Sequence, residues 1–313
     1  MNATFDAPHF QNDEAAREYL EKLYWAEGPI CPTCGSINRA YKTKRAGVYR
    51  CAEVECRKDF TVTVGTVMER SKIALHKWLQ AFHLMCSSKK GISAHQLHRI
   101  LGIGYEASWF MCHRIREAMR DGGLAPLGGT GMVVEADETY FGNVEERMPS
   151  KQRRGRPYTK GGKSGPGGKR AVVSLVERGG RVRSFHAAKA DAAEVAALVN
   201  ENINRETRLH TDESKLYTRV GAQFASHETV NHSRKEYARG DVTTNSVEGY
   251  FSIFKRGMRG VYQHCGEKHL HRYLAEYDFR YNHREKLGYN DADRATAAVK
   301  GAVNKRLTYK GRH

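Results

Sequence analysis

Met132-Val133-Val134-Glu135-Ala136-Asp137-Glu138-Thr139-Tyr140-Phe141 carries an apolar run into an acid, the pattern of a strand that presents Asp137 at its end. Downstream, Ala171-Val-Val-Ser-Leu-Val176 and residues 181–187 run apolar or alternate on either side of Gly179-Gly180, which is a hairpin signal. Asp191 is placed to cap a helix over 192–204, where Val195, Leu198, Val199 and Ile203 recur at helical spacing. Thr207-Arg208-Leu209-His210-Thr211 reads as a further strand ending at Asp212, and 213–220 opens another helix. Three strands in a meander, then helix, strand and helix, with acids on the first and fourth strands, predict an α/β fold. The layout is that of a ribonuclease H-like core, a mixed sheet with flanking helices, over 130–285.

A third acid, Glu248, lies 36 positions after Asp212 in a helix-like segment over 244–256. Lys255 follows it by seven, about two helical turns, and so shares its face. Carboxylates from separate elements bring anionic charge to one point, which suits two divalent cations and the cleavage or transfer of a phosphodiester. Lys255 is then placed to contact a phosphate near the scissile bond. Any one of these acids alone reads as a solvated strand-end or helix residue; their order and spacing make the candidate site.

The composition points to a polyanionic partner. Of 313 residues, 52 are Lys or Arg and 35 Asp or Glu, a formal charge of +17, and the pI is near 9.6. Residues 150–170 hold eight Lys or Arg and no acid among glycines, and predict a basic loop suited to a phosphate backbone. Nucleic acid is the leading partner class, and no apolar run approaches the ~20 residues that span a bilayer, so the expectation is a soluble, cytoplasmic protein with no membrane contact.

Four of seven cysteines are grouped, as Cys31-Pro-Thr-Cys34-Gly35 and the pair Cys51 and Cys56. Two close pairs split by 16 residues match the two knuckles of a zinc ribbon, with structural Zn²⁺ on four thiolates. The wider spacing of the second pair predicts a looser knuckle. Strands are expected over 39–43, 48–50 and 59–64. Cys86, Cys112 and Cys265 read as buried thiols in helices.

Between ribbon and core the period turns helical. Leu75, Trp78, Leu79, Phe82 and Met85 form one apolar face. Residues 94–101 and 105–116, joined by Gly102-Ile103-Gly104, read as a helix-turn-helix whose second helix, carrying Tyr105, Trp109, His113, Arg114 and Arg116, would enter the major groove. The expected divisions are an N-terminal segment and ribbon (1–70), a helical DNA-binding segment (71–122), the catalytic core (130–285) and a basic C-terminal tail (286–313).

Cys31-Pro-Thr-Cys34-Gly35, Ser88-Lys-Lys-Gly-Ile-Ser93, Glu135-Ala-Asp-Glu-Thr-Tyr-Phe-Gly142, His210-Thr-Asp-Glu-Ser214, Thr244-Asn-Ser-Val-Glu-Gly-Tyr-Phe-Ser252 and Glu267-Lys-His-Leu-His-Arg-Tyr273 together carry a likeness over nearly the whole chain. The chain resembles bacterial insertion-sequence transposases of the DDE type with an N-terminal zinc ribbon, the group numbered fifteen ninety-five. The resemblance implies a ribonuclease H-like fold, Mg²⁺ dependence, cleavage at transposon ends and strand transfer into target double-stranded DNA; synapsis of two ends needs at least two protomers, so a homo-oligomer on DNA is expected. It also brings in Asn245, because members of this group use either an acid or an asparagine as third catalytic residue. Positions 245 and 248 share a helical face, and an anionic ligand offsets cation charge where an amide does not, which favours Glu248. The competing functions are a DNA-binding regulator or domesticated transposase with a silent core, and a structure-specific nuclease without strand transfer.

Overall fold

The computed structural model describes residues 4–122, 125–143, 169–188 and 190–308. The chain divides into two units, Met1–Arg120 with Arg284–His313, and Asp121–His283.

The first unit opens on helix α1 (Asp13–Tyr24), capped by the Asn12 side chain, which accepts from the Ala15 N–H. Strands β1 (Ala40–Lys42), β2 (Tyr49–Cys51) and β3 (Asp59–Phe60) follow as a small antiparallel sheet in the order β1-β2-β3. Its third strand is shorter than expected. Cys31, Cys51, Tyr49 and Phe60 form its core, with Trp25 packed alongside. Helices α2 (Leu75–Ser87), α3 (Ala94–Leu101) and α4 (Tyr105–Met119) complete the N-terminal part. Ser93 caps α3 and Gly102, in the left-handed region at φ 60°, ends it.

One expectation about the helical hairpin is corrected. The face of α4 holding His113, Arg114 and Arg116 is buried, so these side chains do not read a groove. Arg114 instead donates to the Glu69 carbonyl at 2.6 Å and lies over the rings of Trp78 and Phe110. Exposed polar side chains of the hairpin include His95, Gln96 and Arg99 on α3 and Tyr105 and Glu106 on the first turn of α4.

The second unit is built on a five-stranded mixed sheet. Strand β4 (Val133–Asn143) pairs antiparallel with β5 (Lys169–Glu177), and β5 with β6 (Val182–Ala187). On its other side β4 pairs parallel with β7 (Arg208–Thr211), and β7 with β8 (Ser226–Thr229). The order β6-β5-β4-β7-β8 is the ribonuclease H-like arrangement. Helix α5 (Ala192–Asn202) supplies the crossover from β6 to β7, and Asp191 caps it by accepting from the Ala193 and Glu194 N–H groups. The segment 213–220 holds only one helical turn, α6 (Thr218–Gly221). After β8, a short hairpin of β9 (Ala238–Arg239) and β10 (Val242–Thr243) leads into α7 (Asn245–Gly257), and α8 (Leu270–Asn282) ends the unit.

Alternation along the strands divides the core in two. Val134, Ala136, Val173 and Leu175 pack with Val195 and Val199 of α5 and with Tyr217. Val172, Val176 and Val182 pack with Phe251 and Phe254 of α7 and with Leu274 and Tyr277 of α8. Asn282 fastens α8 to the edge strand, accepting from the Val182 N–H and donating to its carbonyl. Cys86 and Cys112 are buried in helices, whereas Cys265 lies in the stretch between α7 and α8 and is only half-buried.

The expected basic tail is also corrected. The chain returns to the first unit as α9 (Asp291–Lys300), which packs against α2. Ala295, Ala298 and Val299 are buried there, and Thr66 bridges to Val303. Most of the expected basic loop at 150–170 lies outside the described residues; Lys169 and Arg170 begin β5.

Candidate active site

Asp137 is in the middle of β4, not at its end. The β4–β5 ladder runs on to Asn143, but the β4–β7 ladder stops at the pair Glu135–His210. Asp137 therefore lies just beyond the last β7 pair, where Asp212 leaves β7 and the two neighbouring strands part. Odd positions of β4 face α7 and even positions face α5 and Tyr217. At this gap acids of both faces converge: one oxygen each from Asp137, Glu138 and Asp212 lies within 4.8 Å of the others.

Such convergence is unfavourable for the anions by themselves. Burial, then the Asp212 and Glu138 charges, push Asp137 up to about 8. Burial raises Asp212 as well, and burial followed by the Asp212 charge raises Glu138. Glu138 Oε2 is buried without a hydrogen-bond partner among the described residues. Hard divalent cations take oxygens at about 2.0–2.6 Å, so donors this close can share one. The residues fit a divalent cation: three carboxylates meet where two strands part, and one of them keeps a buried oxygen that no hydrogen bond among the described residues takes up.

Glu248 stands at the edge of this group. It is on the first turn of α7, half-exposed, accepts from the Thr244 hydroxyl at 2.8 Å and pairs with His232 at 3.3 Å. Its charge still raises Asp137 and Asp212. Asn245 opens the same helix and is exposed. Lys255, two turns along, is half-buried; burial lowers its pKa while the Asp137 charge raises it, and Arg259 and Lys169 are close enough to lower it further. Three cations, Lys255 among them, thus gather here, and Lys255 itself is close enough to Asp137 to feel its charge.

The four cysteines of the ribbon also converge. Cys31 and Cys56 sulfurs are 3.7 Å apart, Cys34 and Cys51 sulfurs 3.6 Å, and all four lie within 4.8 Å of one another. Zinc bound by thiolates at about 2.3 Å places tetrahedral sulfurs about 3.8 Å apart. The spacing fits zinc and is far from the ~2.05 Å of a disulfide. Gly35, at φ +75°, shapes the first knuckle, with its N–H on the Cys31 carbonyl. The second knuckle turns at Arg57, φ 47°, with its N–H on the Glu53 carbonyl.

Residues 126–282, half of the chain, match the ISXO2-like transposase domain, and residues 11–59 match the transposase zinc-ribbon domain. The chain belongs to the ISXO2-like transposases. A relative from Halobacterium salinarum, described as an uncharacterized protein in transposable element ISH50, is 28% identical over 265 residues, spanning 80% of this chain and 86% of its own. Among solved structures, a simian T-cell lymphotropic virus intasome in complex with PP2A regulatory subunit B56 gamma gives a TM-score of 0.29 at 13% identity, covering 58% of this chain and 63% of that one. The Mos1 strand transfer complex gives 0.28 at 13% identity, covering 72% and 74%. At those scores neither adds to the family assignment. No helix among the described residues is long and apolar enough to cross a membrane.

In this transposase Glu138, in sequence only an acidic neighbour of Asp137, joins the acidic group. The run Glu135-Ala136-Asp137-Glu138 offers three acids, and alternation assigns Glu138 to the face opposite Asp137. What brings it into the site is the parting of β4 from β7, a tertiary feature with no local signature.

Proposed function

We propose that this transposase binds the ends of its own element as double-stranded DNA, cuts them, and joins the freed 3′ hydroxyl to target DNA by phosphoryl transfer assisted by two Mg²⁺ ions. The observation that carries the proposal is the convergence of Asp137, Glu138 and Asp212 beside Lys255. Asp137 and Asp212 would hold the cations, with Glu248 as third ligand and Asn245 as the alternative on the same helix. Bound there, divalent cations activate the attacking oxygen and offset the charge that develops on the leaving one. The carboxylates orient the reacting groups from two rigid strands, which limits the motion needed to reach the in-line geometry. Lys255, with Lys169 and Arg259 nearby, would hold a phosphate next to the scissile bond. In cleavage, a water oxygen forms a bond to phosphorus as the bond to the 3′ oxygen breaks, leaving a 3′ hydroxyl; in joining, that hydroxyl forms a bond to a target phosphorus as the target's own 3′ oxygen departs. Synapsis of two ends calls for at least two protomers.

The test is end cleavage and joining on the DNA that flanks the native gene, with Mg²⁺ and with Asp137→Ala as control. Joined product that depends on Asp137 is expected. Cleavage without joining would leave a plain nuclease, and neither activity would leave a DNA-binding regulator. Glu248→Ala should abolish joining; if it does not and Asn245→Ala does, the asparagine is the third ligand.

A further inference from the structure

Glu135 stands two residues before Asp137 on β4 and shares its face of the strand. It is fully buried, and a buried carboxylate is costly unless paired and hydrogen-bonded. Here every lone pair is engaged. Arg178 donates to Oε1 at 2.8 and 3.1 Å. The Ser246 and Val247 N–H groups donate to Oε2 at 2.7 and 3.1 Å, and the Ser246 hydroxyl donates to Oε1 at 3.0 Å.

Those last three donors belong to the first turn of α7. A helix needs partners for its first N–H groups, and Thr244, at the cap position, provides no side-chain acceptor for them. A carboxylate from the strand does it instead, and its charge is favourable at the positive end of the helix dipole. Arg178 extends the same junction, donating to the Asp241 and Thr243 carbonyls at 2.8 and 3.2 Å, immediately before α7. One side chain thereby ties the strand that carries Asp137 to the helix that carries Asn245, Glu248 and Lys255.

We infer that Glu135 is a positioning residue, which sets α7 against β4 so that the third ligand and Lys255 stand at a fixed distance from Asp137. The inference rests on the proposed metal site. It differs from a plain capping role in what it predicts: loss of Glu135 degrades the cation site itself, although Glu135 is not a ligand.

The experiment titrates Tb³⁺, an oxygen-seeking stand-in for the catalytic cation, into the full chain with zinc in place, and counts bound waters from luminescence lifetimes in H₂O and D₂O. Wild type should bind and Asp137→Ala should not. Glu135→Gln should weaken binding by about 10- to 100-fold, as loss of outer-shell support does elsewhere, and add about one bound water. That effect should largely vanish on the background of Glu248→Ala or Asn245→Ala, whichever by itself adds a water, because both changes remove the same ligand. A folded Glu135→Gln protein with wild-type affinity and lifetimes overturns the inference, as does an effect that adds in full to loss of the third ligand. Should Glu135→Gln not fold, Ser246→Ala removes only the hydroxyl contact, and a few-fold weakening supports the inference while wild-type behaviour overturns it. A wild-type protein that binds no Tb³⁺ overturns the metal site and the inference with it.

Discussion

Asp137, proposed above as a cation ligand, shows how a residue placed for function can work against the fold. Burial disfavours its charge most, and the like charges of Asp212 and Glu138 add to that effect. Removing the charge while keeping the shape should therefore stabilise the metal-free protein. Asp137→Asn is expected to raise the thermal midpoint of the catalytic unit in chelator by a few degrees, about 1 kcal/mol, while abolishing strand transfer; a lower midpoint would mean that the acids do not repel one another. Asp278 is a second raised carboxyl, whose partner Ser184 lies two strands across from Asp137 in the sheet register, and it joins α8 to β6 and α7. It accepts from the Tyr250 hydroxyl at 2.6 Å, the Ser184 hydroxyl at 2.7 Å and the Ser184 N–H at 2.8 Å, yet burial outweighs these bonds and raises it to about 6. An acid raised above its unfolded value, about 3.9, stabilises the fold fully below that value and loses the contribution as pH rises through about 6. The ~3 kcal/mol of a full two-unit shift is an upper bound on the change. The urea midpoint of wild type relative to Asp278→Asn should fall between pH 4 and pH 7, and a flat difference would contradict the assignment.

At the scale of elements, α4 is where residue type was a poor guide. Arg114 and Arg116 on a helix after a glycine turn look like a groove-reading surface, but the Glu69 carbonyl and the faces of Trp78 and Phe110 make a buried site for Arg114. Arg114→Ala is expected to unfold the N-terminal unit more easily, by roughly 2–4 kcal/mol, whereas Arg99→Ala, on the exposed face of α3, should leave the thermal midpoint unchanged and weaken binding to end DNA. The reverse pattern would restore α4 as the reading helix. The β5–β6 hairpin, α5 and its Asp191 cap were legible because alternation, a Gly-Gly turn and a capping acid are local signals. Helix α9 was not. Asp291-Ala-Asp-Arg-Ala-Thr-Ala-Ala-Val-Lys300 buries small alanines against α2, and a stripe of alanine is a weak hydrophobic signal, although Asn290, which caps it by accepting from the Asp293 N–H, was there to be read. In the candidate site, Asp212 follows the end of its strand as the sequence over 207–211 predicts, while Asp137, predicted at the end of its strand, lies in the middle of it. The contacts that matter most, Glu138 to Asp212 and Glu135 to α7, join positions 74 and 111 apart and leave no pattern in sequence.

Across the whole molecule, the chain order places the catalytic unit as an insertion: residues 121–283 interrupt a unit formed by both ends of the chain. The two units differ in what stabilises them. The catalytic unit has two apolar clusters on the two faces of its sheet, whereas the ribbon sheet has a core of a few side chains around four thiols, too small to fold without its ion. Zinc removal should therefore act on one unit first. All three tryptophans, Trp25, Trp78 and Trp109, belong to the N-terminal unit, and only Trp25 packs on the ribbon core. A zinc-selective chelator, or Cys31→Ser, is expected to shift tryptophan emission to the red as Trp25 becomes solvated, to release one zinc per chain, and to leave most of the far-ultraviolet circular dichroism in place. Tb³⁺ binding at the acids should persist in the chelated protein, since Asp137, Glu138 and Asp212 are held by the sheet and not by the ribbon. Absence of zinc from the purified protein, or loss of Tb³⁺ binding together with zinc, would show that the ribbon is not a separately metal-stabilised module.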